Sequence, residues 1–316
     1  MIDNLITALG AEFVQLSLTP ILIGILGAVA CALPGNFLLL RRQALIGDAI
    51  SHVVLPGIVM AFLVTGTITA VPMMIGAGGA AIVAVILIEI VKRLGRVEPG
   101  AAMGLVFTTL FAAGVLLLEI TDTSSVHIDV QHALLGNLES LIWFDAEGWQ
   151  SLLDPATLAT LPPQLPRLAV VLLGIVLFIT LFWKELKIST FDAAFAEAIG
   201  IHTRVLGFAL VVVTAIAAVA AFDAVGSIIV IAMFVCPPAA ARLMTNQLGR
   251  QIGWSVAFAV ISAVLGYVFA GYGPGWFGSP YAVSAAGMIA TISGIILLLA
   301  CMFGPQRKRT GQRAEA

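Results

Sequence analysis

The sequence predicts an all-α, polytopic membrane protein, because it is strongly apolar and because apolar segments recur along most of its length. Of its 316 residues, 60% are hydrophobic and only 10% are charged. The mean hydropathy is +1.10. A helix that crosses a bilayer needs about 20 consecutive, mostly apolar residues. This composition excludes a soluble globular protein and predicts a single transmembrane domain over residues 1–316.

Nine segments match the length and composition of membrane spans, so we expect a bundle of about eight to nine transmembrane helices. Their interiors are rich in Gly and Ala, small residues that let helix backbones approach closely. Pro237 and Pro238 lie deep in an apolar run and predict a broken or kinked helix there. The nine segments are roughly Leu16–Leu40, Ala44–Val64, Val71–Val91, Ala101–Leu118, Leu168–Trp183, Val205–Phe222, Ala224–Ala241, Ile252–Gly271 and Tyr281–Phe303.

Lys and Arg residues are distributed unevenly among the segments that connect the spans. If the N-terminus lies outside, fourteen of the fifteen fall on the cytoplasmic side, and Arg167 alone lies outside. Cytoplasmic loops carry such an excess of positive charge, which favours this orientation. It places residues 119–166 in an acidic extracytoplasmic loop region, residues 184–204 in a cytoplasmic segment and residues 304–316 in a cytoplasmic tail. The acidic loop either attracts cations or a basic partner, or is simply solvated.

An ionisable pair interrupts the second predicted span. Asp48 and His52 are four residues apart, so on a helix their side chains share one face. A charged residue in hydrocarbon costs about 2.5 to 3.5 kcal/mol even on a lenient scale, so such residues normally face a water-filled route or another polar group. A carboxylate oxygen and an imidazole nitrogen suit a transient site for divalent Mn, Fe or Zn. Ser51 adds a polar group to this candidate metal pathway.

Other interpretations of these polar residues stay open. Asp48 can instead pair with Arg41 or Arg42 near the membrane face, while His52 bonds a backbone carbonyl. Asp223 lies at the outer end of a tight link between two predicted spans. It is either a further residue of the cation pathway or a solvated carboxylate.

The cytoplasmic segment 184–204 contains a predicted short amphipathic helix. Apolar residues recur at helical spacing from Phe191 to Ile199, Thr190 or Asp192 is placed to cap the helix, and Gly200 to end it. An apolar face on the water side of a membrane indicates a contact with a partner protein, and the alternative is a helix lying on lipid headgroups. The candidate contact residues are Phe191, Asp192, Phe195, Ala198 and Gly200.

Several catalytic and nucleotide-binding motifs are absent from the sequence. There is no G-x-x-x-x-G-K-[ST] phosphate loop, so the chain does not bind and hydrolyse ATP by that route. No H-E-x-x-H or G-x-S-x-G motif occurs, and we predict no catalytic residues. Cys31, Cys236 and Cys301 are few and far apart, which is typical of buried small hydrophobes. Nothing in the net charge of −2 points to nucleic acid.

Three ordered segments resemble those of the membrane permease subunits of the ABC importers for manganese, zinc and iron ions, the ABC-3 family. The resemblance extends over nearly the whole chain. The matching segments are Arg42–Gly57 (RQALIGDAISHVVLPG), Ser189–Ile201 (STFDAAFAEAIGI) and the region Ala224–Leu243, which runs from AVGSIIVIA to PPAAARL.

The resemblance implies a type II-like ABC importer permease bundle in the bacterial inner membrane. It implies a second permease subunit, identical or related, two cytosolic ATPase subunits that use the ATP, and an extracytoplasmic metal-binding protein. Asp48 and His52 then correspond to residues that line the metal route. The segment Phe191 to Gly200 corresponds to the helix that docks in the ATPase groove. No permanently bound cofactor is implied, and the metal ion is the substrate.

The resemblance also ranks the candidate metals. The stretches 222–226 and 136–139 look more like the manganese and iron branch of the family, so manganese comes first, before zinc or iron. Cys236 stands where an aliphatic residue is commoner, and a soft ligand nearby would favour zinc. The alternative function is a secondary, proton-coupled transporter of divalent cations, which would use the same Asp and His without any amphipathic cytoplasmic helix.

Overall fold

The computed structural model describes residue 10 and residues 13–66, 70–120, 138–276 and 283–306. Over these ranges the chain is helical and contains no strand. Eight of the described helices are long and apolar enough to cross a membrane. The predicted all-α, polytopic fold is therefore confirmed.

Ten helices carry the fold, and short helical turns join some of them. A π-helical turn over Val14–Leu18 leads into the first helix. Short turns at Leu138–Ser140, Trp149–Leu153, Pro155–Leu158 and Gly273–Trp276 connect later elements. The ten helices are α1 (Thr19–Leu40), α2 (Leu45–Thr65), α3 (Ala70–Gly95), α4 (Pro99–Ile120), α5 (Gln164–Leu181), α6 (Trp183–Phe191), α7 (Ala193–Ala198), α8 (Thr203–Met244), α9 (Leu248–Gly271) and α10 (Ala285–Phe303).

Seven of the nine predicted spans coincide with separate helices, and the other two are the halves of α8. Helix α8 has 42 residues, which would extend about 63 Å if it were straight. The hydrocarbon core of a bilayer is only about 30 Å thick. A helix of this length must therefore break, project far from the membrane or turn back.

Helix α8 turns back at Gly226. This residue has φ 79° and ψ 169°, the one set of non-helical angles inside the helix. Before it, Gly207 lies beside Arg41 at the end of α1, while Val225 lies beside Gly27, about four turns away along α1. The first half of α8 therefore runs antiparallel to α1, away from Arg41.

The second half of α8 returns along α1. Phe234 and Pro238 lie against Gly35, close to the end of α1 from which the first half started. Of the predicted break or kink at Pro237 and Pro238, the break is wrong in position, since both prolines have helical backbone angles and the helix is broken at Gly226. The predicted link between the two spans was placed three residues too early, at Asp223.

Gly35 explains how the helix tolerates a proline. Pro238 has no N–H, so the carbonyl of Phe234, four residues earlier, loses its helical donor. That carbonyl oxygen faces Gly35, where an added Cβ would lie 2.5 Å from it. The absence of a side chain lets the backbone of α1 approach the freed carbonyl, as Cα–H groups do at close helix contacts.

Small residues also bring α2 close to its neighbours. Gly57 lies against Gly76 of α3, and a Cβ on Gly57 would lie 2.5 Å from the carbonyl oxygen of Gly76. On another face, Pro56 packs on Gly114 of α4. Helix α2 is therefore held between α3, α4 and the two halves of α8, which contact it at Gly47 and Val54.

Residues 138–163, which belong to the predicted outer loop, pack on the bundle. Leu138 and Trp143 are both 1% exposed. The Trp143 indole donates a hydrogen bond to Thr160 at 3.1 Å, and Glu139 accepts one from the backbone of Ala285 at the start of α10. This part of the loop is thus anchored and not merely solvated.

We expect Gly226→Ala to destabilise the folded chain by about 1–3 kcal/mol, because these backbone angles are essentially restricted to glycine. The control is Gly174→Ala in α5, where an added Cβ meets nothing within 4 Å. The measurement is the thermal unfolding midpoint of the detergent-solubilised variants by size-exclusion fluorescence. Equal midpoints for both variants would contradict the assigned reversal of α8.

Candidate functional site

The imidazole of His52 and the carboxylate of Asp48 lie side by side on one face of α2. The His52 Nε2 lies 3.4 Å from the Asp48 Oδ1, and the side chains are 31% and 26% exposed, respectively. Asp48 lies in the first turn of α2, where the free N–H groups of a helix favour a carboxylate. The predicted shared face is confirmed, and both side chains remain accessible from outside the chain.

Aromatic side chains of α4 cover the His52 ring. Phe107 is stacked on it with ring centroids 5.3 Å apart, and Phe111 meets it edge-on at 5.5 Å. One turn further along α2, Pro56 packs on Gly114 of the same helix. These contacts fix the orientation of the imidazole and leave its Nε2 facing the carboxylate.

The alternative partner of Asp48, an arginine, is engaged elsewhere. Arg41 donates hydrogen bonds to the Ser189 Oγ at 2.8 Å and the Thr190 Oγ1 at 3.1 Å. Within the described ranges no ion pair joins Asp48 to Arg41 or Arg42. Burial lowers the pKa of the Arg41 guanidinium, which nonetheless stays charged at neutral pH. Arg41 therefore ties the turn between α1 and α2 to the end of α6.

The pair can supply two ligands to a cation. Over the residues with described side chains, no cluster of three or more His, Cys, Asp or Glu occurs, so Cys236 does not join Asp48 and His52. The side chain of Ser51 lies outside the described part of the structure. Two ligands hold a divalent ion more loosely than the four of a closed structural site, which suits a cation that must also leave.

Asp223 does not join Asp48 and His52 in a cluster of potential metal ligands over the residues with described side chains. Its carboxylate accepts a hydrogen bond from Arg167 at 2.9 Å. The neighbouring Phe222 packs with Val54, whereas Gly47, next to Asp48, packs on Phe234. Asp223 is thus neither simply solvated nor brought to Asp48 and His52, and its membership of a metal pathway stays a prediction.

The predicted cytoplasmic segment forms two helices instead of the predicted one. Helix α6 ends at Phe191 and α7 begins at Ala193, because Asp192 adopts extended angles between them. The Asp192 Oδ1 accepts a hydrogen bond from the Phe195 N–H at 2.9 Å, so Asp192 is the N-cap of α7, as predicted. Phe191 therefore belongs to α6 and not to the capped helix.

Gly200 ends this segment as predicted. Its φ of 88° is left-handed, and the following Ile201 N–H bonds back to the Ala196 carbonyl at 2.9 Å. This is the 6→1 bond of a Schellman cap. The apolar side chains of this segment are exposed. Phe191 and Phe195 are each 54% exposed, and Ala198 and Ile199 are exposed as well.

Charged residues collect around a cavity of about 680 Å³ at one end of the bundle. We call this the basic end; it is defined by Arg41, Arg42, Lys92, Arg93 and Arg204. Asp48 and His52 are not among the residues that line this cavity, although Ala49 and Ile50 of the same helix are. The cavity and the ionisable pair therefore lie on different faces of α2.

Sequence reasoning missed the roles of Arg41 and Arg167. Arg41 was considered only as a partner of Asp48, and its two hydroxyl acceptors lie almost 150 residues away. The sequence contains a signal for Arg167, since it is the one basic residue that the predicted orientation leaves on the outer side. An isolated cation near the membrane surface favours a nearby carboxylate, and Asp223 provides it.

Comparisons with known proteins agree with this fold. The chain is similar to the manganese transport system membrane protein MntD of Bacillus subtilis, with 37% identity over 89% of this chain and 90% of MntD. It is similar to the zinc transport system membrane protein TroD of Treponema pallidum, with 35% identity over 90% of this chain and 73% of TroD.

A solved structure and a family model cover nearly all of the chain. The structure of PsaBC from Streptococcus pneumoniae in complex with Fab matches 99% of this chain and 100% of the compared chain, with a TM-score of 0.74 and 27% identity. The model of the ABC 3 transport family matches residues 13–145 and 157–304. The chain is a multi-pass permease of the bacterial inner membrane and belongs to the ABC 3 transport family.

Proposed function

We propose that this chain is the transmembrane subunit of an ATP-driven importer that moves a divalent transition-metal ion into the cytoplasm. The main support for the proposal is that two features lie close together in the sequence. Arg41 is bound to the end of the exposed segment α6–α7, and seven residues later Asp48 begins the ionisable face of α2.

Asp48 and His52 are the proposed metal-pathway residues. Their separation of 3.4 Å lets one cation bind between the two side chains with small movements of either. Water or a residue of another subunit would complete the coordination shell. The ion passes because no closed set of protein ligands retains it.

Manganese is the proposed first substrate, followed by zinc or iron. The similar proteins do not decide between metals, since MntD is named for manganese and TroD for zinc. The ligand types favour manganese, because a carboxylate is a hard donor and no cysteine joins Asp48 and His52 among the residues with described side chains.

The exposed face of α6–α7 is the proposed contact with a cytosolic ATPase subunit. Phe191 and Phe195 offer large apolar side chains on the water side of the membrane, where a partner protein would cover them. Movement of this face would reach α2 through Arg41, Ser189 and Thr190. An extracytoplasmic metal-binding protein and a second permease subunit, as in a homodimer, complete the proposed assembly.

A test of this proposal is purification of the tagged permease from its own cells. We expect an ATPase chain to co-purify, and we expect metal uptake to cease when that ATPase is inactivated. The rival, a secondary cation transporter, would be purified without an ATPase, and its uptake would follow the proton gradient. Persistence of uptake with an inactive ATPase would reject ATP-driven transport.

The metal is tested separately in the same cells. We expect manganese to be taken up from trace concentrations and excess unlabelled manganese to compete better than zinc or iron. Stronger competition by zinc would change the substrate and leave the assignment as a permease intact.

A further inference from the structure

The cavity at the basic end carries a strong excess of positive charge. Five cationic side chains and one carboxylate, Glu89, line it, which leaves an excess of four positive charges. Glu89 bonds both Lys92 and Arg93 at 2.6 Å, and Arg41 is held by two hydroxyl groups, which carry no charge. The remaining cations, Arg42 and Arg204, have exposed side chains at its rim.

The inner wall of the same cavity is apolar. Ile46, Ile50, Ile88 and Met103 contribute to it, and each is less than 10% exposed. Phe208 also lines the cavity but is 49% exposed. Phe208 therefore continues the apolar wall from the cavity to the surface of the chain.

The position of the charges matches the surface of a membrane. Arg41 and Arg42 follow the end of α1, Lys92 and Arg93 lie in the last turn of α3, and Arg204 lies in the first turn of α8. All five thus lie at the ends of spans, at the depth of phospholipid headgroups, and the apolar wall extends from them into the membrane.

We infer that this cavity binds an anionic phospholipid, with the phosphate at the basic rim and part of an acyl chain against the apolar wall. Arginine side chains bind phosphate oxygens through two parallel hydrogen bonds. Basic pockets between transmembrane helices on the cytoplasmic side are the usual sites for such headgroups. A volume of about 680 Å³ is within the range of small-molecule sites.

A lipid fits the cavity better than two other occupants. A free phosphate ion would satisfy the rim but leave the apolar wall in contact with water. An acidic surface of a cytosolic protein would reach Arg42 and Arg204 but not Ile50 or Met103 between the helices. The proposed lipid site is independent of the identity of the transported ion.

The test uses the purified complex in neutral detergent, supplied with equal amounts of phosphatidylglycerol and phosphatidylcholine. Native mass spectrometry should show preferential retention of phosphatidylglycerol, one molecule for each permease chain. Arg42→Gln with Arg204→Gln should lower this retention about tenfold or more, because each basic residue near an anionic surface contributes separately. Glu89→Gln should raise it, because the variant removes the one carboxylate from the wall.

The matched control is Arg250→Gln. Arg250 is an exposed arginine near the start of α9 and does not line the cavity, so this variant should retain lipid like the wild type. Size-exclusion profiles should be the same for all variants, which separates lost lipid from lost folding.

Three results would overturn the inference. The first is equal retention of the two lipids by the wild-type complex. The second is equal loss of phosphatidylglycerol in Arg250→Gln and in the double variant. The third is binding of inorganic phosphate alone, measured by calorimetry, without any preference for phosphatidylglycerol, which would indicate a site for the free anion.

Discussion

Asp48→Asn and His52→Ala are each expected to reduce manganese uptake at least about tenfold, while the permease still inserts and assembles. Removal even of groups that only support a metal ligand typically costs about 10–100-fold, and each variant here weakens or removes one of the two proposed ligands. Asp48→Asn keeps the shape of the side chain and removes its charge. The measurement is initial uptake of radioactive manganese by cells with matched permease levels.

Two control variants test whether a loss of uptake is specific to Asp48 and His52. Glu98→Gln removes an exposed carboxylate between α3 and α4, and His202→Ala removes an exposed imidazole that makes no capping bond at the start of α8. Both should transport like the wild type. Wild-type uptake by Asp48→Asn or His52→Ala would reject the pair as the metal route, whatever the outcome for ATPase binding.

Phe191→Ala combined with Phe195→Ala is expected to disconnect the permease from its ATPase. Each side chain is 54% exposed, and buried aromatic anchors at an interface often contribute about 2 kcal/mol or more each. We expect the ATPase to be lost from the purified complex, or its metal-stimulated hydrolysis to fall at least about tenfold. The measurements are co-purification and ATP hydrolysis in proteoliposomes.

The matched control is Phe144→Ala. Phe144 is 74% exposed but belongs to the predicted outer loop and not to the proposed ATPase contact. Gly200→Pro should reproduce the double variant, because proline cannot adopt the φ of 88° found at Gly200. Undiminished stimulated hydrolysis in both the double variant and Gly200→Pro would contradict the proposed docking face.

The fold could be predicted largely because each span is long and continuously apolar. The helix spacing of Asp48 and His52, the cap at Asp192 and the end at Gly200 follow from local rules, and the structure bears out each of them. These features depend only on residues a few positions apart, so they can be predicted without knowing how the helices pack.

The errors arose where packing decides the backbone. Pro237 and Pro238 were expected to break α8, but the freed carbonyl of Phe234 is accommodated by Gly35 on a different helix. The reversal instead uses Gly226, which the sequence offers as only one of 31 glycines. Likewise, the hydroxyl partners of Arg41 come from a distant helix, and hydropathy carries no information about such a contact.

Arg41 is bound by hydroxyl groups and not by a carboxylate, and this determines how much free energy is needed to break its contact with α6. Breaking a buried pair of opposite charges strands an ion and costs about 3–5 kcal/mol. Release of Arg41 from Ser189 and Thr190 strands only neutral oxygens, and each bond to the guanidinium is worth about 1.5–3 kcal/mol, which water can largely replace. The contact is therefore strong enough to join the two segments, yet it can be broken and re-formed at little cost in free energy.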